Sequence, residues 1–212
     1  MSQAPFPSDF FQRQDMSDDS LFYTSPRLVV HIDQHAINAL TNVYRELLPT
    51  SGTYLDLMSS WRSHYPTDLN PTQIVGLGMN AQELAENTQL DSYEVQNINQ
   101  IPQLPYPSNQ FDAVTCAVSV QYLVDPVTIF AEVNRVLKPG GIFIVSFSNR
   151  CFPTKAVAIW LATNDEQHIA LVGQYFKLSN NWSALNAQQT NPAEGYPNQA
   201  DPLYVVSAKK TA

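Results

Sequence analysis

Between positions 55 and 64 the chain reads Leu-Asp-Leu-Met-Ser-Ser-Trp-Arg-Ser-His. This gathers an acid (Asp56), three hydroxyls (Ser59, Ser60, Ser63), a guanidinium (Arg62) and an imidazole (His64) into ten residues. Hydroxyl beside imidazole suggests a nucleophile with its base. A serine nucleophile on a strand-to-helix turn sits in a G-x-S-x-G elbow, however, and none of these serines does. Hydrolase chemistry is therefore not expected; the simpler role for Ser59 and Ser60 is to cap a short helix and face a cleft. His31-x-Asp33-x-His35 offers metal-ligating types without a fourth ligand at zinc spacing, so no metal is expected and Asp33 reads as a helix cap. Gly76-Leu-Gly-Met-Asn-Ala81 fits the dinucleotide pattern G-x-G-x-x-[GA]. The acid that pattern needs about 20 residues on is missing, with Gln96, Asn97 and Asn99 in its place, which disfavours a nicotinamide site.

The 212 residues include only seven glycines, against 15 prolines. No G-x-x-x-x-G-K-[ST] can be written from them, which excludes a P-loop nucleoside triphosphatase. With 11 basic and 19 acidic residues the net charge is −8, a balance that disfavours nucleic acid or an anionic membrane as partner. Asn and Gln, at 16 and 17 residues, supply much of the polarity. Cys116 and Cys151 do not make a disulfide framework. The first residues lack the basic start and apolar run of a secretory leader, and no apolar stretch nears the roughly 18 residues of a membrane span. The expectation is a soluble, cytoplasmic protein without a membrane span, whose partner is a small-molecule substrate or another protein.

Residues 1–33 read as an irregular arm, and 34–212 as one domain. A helix is expected over 34–48, where Ile37, Leu40, Val43, Tyr44, Leu47 and Leu48 recur at helical spacing between Asp33 and Pro49. Short apolar runs predict strands over 53–58, 73–77, 93–98, 111–118 and, after Lys138-Pro-Gly-Gly141, in Gly-Ile-Phe-Ile-Val-Ser-Phe-Ser. Helices are expected over 81–87, with Asn80 and Glu83 as a capping box, and from Asp125-Pro126 onward. Further helices are expected over 154–162 and 165–177, then strands near 182–189 and 203–209 with a Pro/Gly/Asn-rich connection, 190–202, between them. Strands alternating with helices, the central ones continuously apolar, predict an α/β sheet covered on both faces and ending in an antiparallel pair.

Leu104 to Arg150, LPYPSNQFDAVTCAVSVQYLVDPVTIFAEVNRVLKPGGIFIVSFSNR, resembles the middle of a class I S-adenosylmethionine-dependent methyltransferase. The entry Leu-Pro-Tyr-Pro…Phe-Asp-Ala-Val and the Arg-Val-Leu-Lys-Pro-Gly-Gly before the next strand are shared with the methyltransferase type 11 group, which includes ubiquinone and menaquinone methyltransferases. The strings LDLMSSWRSH, GLGMN and SFSNR are similar to a divergent subgroup of cyanobacteria and plants with no established substrate. The resemblance implies a seven-stranded, mostly parallel, doubly wound, Rossmann-like sheet with an antiparallel edge strand, and S-adenosylmethionine as cofactor.

In that family a glycine-rich loop after the first strand approaches the methionine part, an acid ending the second strand holds the ribose, and an Asp after the third reads adenine. Carried over, these positions are Asp56, Met58, Ser59 and Ser60; Gly76, Gly78, Met79 and Asn80; and Asn97, Ile98 and Asn99, with Ser119 after the fourth strand. The family's loop glycines are replaced by Met58, Ser60 and Arg62, and Gly78 stands where the ribose acid belongs. Arms of this fold often cover the cleft, so Tyr23, Arg27 and His31 are lid candidates, with His64, Asn149 and Arg150 near the substrate. No residue is singled out as catalytic, because direct methyl displacement depends chiefly on alignment. The alternative is a methyltransferase fold that no longer catalyses and serves as a binding or assembly partner.

Overall fold

The computed structural model describes residues 6–191 and 200–212, so most of the connection expected over 190–202 lies outside the described residues. Seven strands, β1 (Thr53–Ser59), β2 (Gln73–Gly78), β3 (Ser92–Val95), β4 (Phe111–Ala117), β5 (Leu137–Phe147), β6 (Trp182–Asn191) and β7 (Leu203–Lys210), form one sheet. Its order is β3-β2-β1-β4-β5-β7-β6. The pairs from β3 to β5 are parallel, while β7 runs antiparallel to both β5 and β6. The order reverses between β1 and β4, which opens a crevice beyond the C-terminal ends of the strands.

Helices cover both faces: α1 (Asp19–Phe22), α2 (Gln34–Leu47), α3 (Ala81–Ala85), α4 (Pro126–Val136), α5 (Ala158–Leu161) and α6 (Asp165–Ser179). Local chemistry sets the ends of the long ones. Asp33 accepts the Ala36 N–H at 2.9 Å to start α2. Pro49 pushes Leu48 into an extended conformation and ends it. Asp125 caps α4 with Pro126 in its first turn. Asn164 and Gln167 cap α6 reciprocally. Leu40, Val43 and Tyr44 of α2 join Tyr54, Ile144 and Val205 in the core of one face. On the other, Phe130, Phe143, Tyr175 and Phe176 pack edge to face, with ring centroids 4.8–5.6 Å apart.

Some elements differ from expectation. The helix expected over 154–162 shrinks to α5, because the Val157 and Ala158 N–H groups pair with the Gln121 and Gln12 carbonyls. The third strand ends at Val95; beyond it the Gln100 and Ile101 N–H groups turn back onto the Asn97 carbonyl. No helix follows β1: residues 60–70 are irregular, so Ser59 and Ser60 cap nothing. Lys138–Gly141 form a bulged stretch of β5, where Gly140 takes φ +77°. Among the described residues no helix is long and apolar enough to cross a membrane.

Candidate ligand-binding site

The site begins with an irregularity at the end of β1. Leu57 pairs with Leu77 and Ser59 with Gly78, so Met58 is an extra residue, and it takes φ 58°. This is a bulge whose first residue occupies the left-handed region, a place usually given to glycine. The bulge drives the Ser59 carbonyl oxygen against Gly78, so that a Cβ on residue 78 would fall inside that oxygen's van der Waals shell. No acid fits at the end of β2 for this reason. Val118, after β4, also takes a positive φ, 51°, on a β-branched side chain, a true outlier. Backbone strain thus gathers around one crevice.

Asp56 lies beneath the bulge, 3% exposed. It accepts hydrogen bonds from Ser59 Oγ (2.6 Å), Ser63 Oγ (2.7 Å) and Thr115 Oγ1 (3.4 Å). Burial pushes its carboxyl up to about 6, and the three hydroxyls hold it from rising further. Asn87 Nδ2 ties Ser63 Oγ to the Ser60 carbonyl. Asp56 therefore fixes the path of residues 59–63.

Above this layer a cavity of about 270 Å³ opens over the strand ends. Its floor and walls include Met58, Ser59, Ser60, Gly78, Met79, Asn97, Ile98, Asn99 and Ser119; its roof and rim include Tyr23, Arg27, His31 and Arg150. Those sequence candidates converge. Gly76 and Asn80 are not in the lining: Gly76 faces Leu90, and Asn80 caps α3 while donating to the Tyr23 carbonyl at 2.8 Å. Asp56 and His64 line a neighbouring cavity of about 80 Å³, where burial lowers the His64 imidazole to about 4. Asn149 is exposed outside both.

The amides differ in what they can offer. Asn99 Nδ2 donates to Asp19 (3.0 Å) and to the Tyr122 carbonyl (2.9 Å), and Asn99 Oδ1 accepts from Val124 N–H. It is fully engaged within the protein. Asn97 Oδ1 accepts from Asn99 N–H, but Asn97 Nδ2 is buried with no partner among the described residues. A buried donor without an acceptor is costly, by about 1–3 kcal/mol, unless a ligand supplies one.

Two residues essential to this geometry escape sequence reasoning. Glu83 does not complete a capping box. Its carboxylate accepts the Arg27 N–H (2.7 Å) and Ser60 Oγ (2.6 Å), joining the arm to the loop after β1 while lining the cavity. Lys155 is fully buried, with its Nζ 3.1 Å from Asp15 and 3.2 Å from Asp19; Arg13 meets Asp19 at 2.7 Å. The Lys155 ammonium, after the Ser17 hydrogen bonds, helps hold the Asp15 carboxyl down to about 2. These contacts fasten residues 13–27 across the cavity.

Residues 48–145 match the family model described as Methyltransferase domain. A stretch of 42 residues is 45% identical to demethylmenaquinone methyltransferase of Geobacillus stearothermophilus; it makes up 20% of this chain and spans 18% of that protein's length. An S-adenosylmethionine-dependent methyltransferase from Mesorhizobium loti superposes with TM-score 0.58 at 16% identity, covering 81% of this chain and 98% of that one. The [4+2]-cyclase SpnF superposes with TM-score 0.61 at 16% identity, covering 91% and 92%. The family-model match takes in a little under half of the chain, and the solved structures share its fold.

Proposed function

We propose that the chain binds S-adenosylmethionine in the larger cavity and methylates a small-molecule acceptor. The observation that carries this reading is the unpartnered Asn97 Nδ2 in a cavity built at the C-terminal ends of the parallel strands, where open α/β sheets take nucleotides. The residues fit such a ligand in kind. Asn97 Nδ2 supplies a donor for a purine nitrogen, in place of Asn99, which has none to spare. The Glu83 carboxylate keeps lone pairs beyond its two hydrogen bonds and can accept ribose hydroxyls that Gly78 cannot. The cofactor supplies a methyl group on a positively charged sulfur, open to direct displacement by an electron-rich atom. The protein's part is alignment: Met58 and Val118 wall the cavity, and the arm with Tyr23 shields it from water. The structural kinship to a [4+2]-cyclase illustrates that this fold alone does not set the reaction.

A crystal structure with S-adenosylhomocysteine tests the placement. The expected result is adenine within hydrogen-bond distance of Asn97 Nδ2 and ribose beside Glu83. A ligand seated elsewhere would overturn the assignment of these residues. A failure to bind would favour a non-catalytic partner protein.

A further inference from the structure

Three arginines line the cavity, and they are not equivalent. Arg13 is bound to both carboxylate oxygens of Asp19, at 2.7 and 2.9 Å. Arg150 is paired with Asp201 at 2.7 Å and is 63% exposed. Arg27 has no carboxylate partner among the described residues. Its guanidinium carbon lies 4.4 Å from the ring centre of Phe22, 5.4 Å from that of Phe152 and 5.7 Å from that of Tyr23. Its Nη2 donates to the Phe22 carbonyl at 2.9 Å, while its Nη1 is buried with no hydrogen-bond partner among the described residues. The nearby acid, Glu83, is engaged by the Arg27 backbone N–H and by Ser60 Oγ.

An arginine fixed this way has a cost that needs an explanation. The aromatic rings and the carbonyl hold the fork in one orientation, so little freedom is left to lose on binding. One edge of the fork carries an unmet donor. A guanidinium matches carboxylate and phosphate oxygens, and such charge-assisted bonds are the strong ones. The surroundings, with Met58, Tyr23, Tyr122 and Phe152 on the cavity wall, suit an apolar portion next to that anion.

We propose that the acceptor molecule carries an oxyanion, a carboxylate or a phosphate, which docks on the Arg27 guanidinium beside an apolar portion of the same molecule. This rests on the methyltransferase reading for the word acceptor, and on the geometry of Arg27 for the oxyanion. The same chemistry is present at the amino-acid end of the cofactor, so the test separates the two sources.

Calorimetric titration of the full chain compares benzoate and phenyl phosphate with neutral benzamide, in the wild type, Arg27→Gln and Arg27→Lys. Each protein is also titrated with S-adenosylhomocysteine and with 5′-methylthioadenosine, which lacks the amino-acid end. The wild type is expected to bind one of the anions at least about tenfold more tightly than benzamide. Arg27→Gln brings the ratio to within about twofold, and Arg27→Lys, with charge but no fork, falls between. Affinities for the two nucleosides stay unchanged in both variants, which also shows that they fold. A wild type without anion preference, or a preference that survives Arg27→Gln, overturns the proposal. So does a loss in Arg27→Gln of S-adenosylhomocysteine binding alone, which assigns Arg27 to the cofactor's carboxylate. If S-adenosylhomocysteine fails to bind the wild type, the methyltransferase reading falls, while the anion comparison still decides the role of Arg27.

Discussion

Glycine does different work at the two ends of the central strands. At Lys138–Gly141, where β5 begins, Gly140 takes φ +77° with open space around the position of a Cβ, so only the backbone conformation asks for glycine. At the opposite edge Gly78 has an ordinary φ, and what asks for glycine is the Ser59 carbonyl oxygen pressed against it by the Met58 bulge. The first glycine builds the fold and the second accommodates a rebuilt strand end. The difference teaches that the pocket edge has not simply lost its glycines. Met58 takes the left-handed position, the Ser59 carbonyl closes on Gly78, and the carboxylate that lines the cavity is Glu83, near the start of α3.

The sharpest way to break that contrast is to add one carbon at each glycine. Gly78→Ala is expected to cost more than about 3 kcal/mol, because the obstacle is backbone and cannot rotate away. Gly140→Ala should cost only about 1–2 kcal/mol, the price of a left-handed residue. Urea unfolding of both variants checks this, and equal costs would mean that the bulge does not constrain residue 78. Gly78→Asp, for the same reason, should destabilise the protein without restoring a ribose-binding acid.

The arm offers a second comparison, between a buried ion cluster and surface pairs. Lys155→Met removes the buried ammonium shared by Asp15 and Asp19, with Asp19 keeping Arg13, so the loss is that of two charge-assisted contacts, each about 1.5–3 kcal/mol. Arg45→Met, which removes the exposed pair with Asp68, should leave the urea midpoint essentially unchanged. Limited proteolysis adds a local readout. Cleavage within residues 13–27 should rise in Lys155→Met and stay unchanged in Arg45→Met.

Asp56 gives a smaller effect, visible only through pH. Its folded carboxyl titrates at about 6, above the ordinary aspartate value of 3.8, so the folded state prefers it protonated. Its contribution is therefore fully favourable below about pH 4 and is lost as pH rises through 6, by roughly 3 kcal/mol in total. Depressed carboxylates such as Asp15, Asp112 and Glu132 act in the opposite sense and at lower pH. In Asp56→Asn the stability lost by the wild type between pH 4 and 6 should disappear. A difference between the two proteins that does not change with pH would show that Asp56 titrates normally.

How much of this was legible in the sequence follows the range of the interactions. Asp33 and Asp125 cap their helices as read, since a cap involves residues at most three apart. The alternation of elements and the antiparallel pair at the end were legible for a similar reason, being patterns of apolar runs. Glu83 was misread because its local position fits a capping box, while its carboxylate goes to partners 56 and 23 residues away. Lys155 gave no signal at all, as its anions lie in the arm, more than a hundred residues earlier in the chain. The left-handed Met58 was equally hidden, because nothing in a methionine announces a conformation that normally belongs to glycine. The candidate residues of this edge could be named from the sequence; the contacts that join Met58, Ser59, Gly78 and Glu83 could not.

The proposal that the cavity over the strand ends takes a nucleoside is addressed directly by one titration. Calorimetry of the wild-type chain with S-adenosylhomocysteine, repeated for Asn97→Ala, should give a dissociation constant below about 1 mM that weakens at least about fivefold in the variant. No heat of binding up to that concentration, or an affinity indifferent to Asn97, would contradict it.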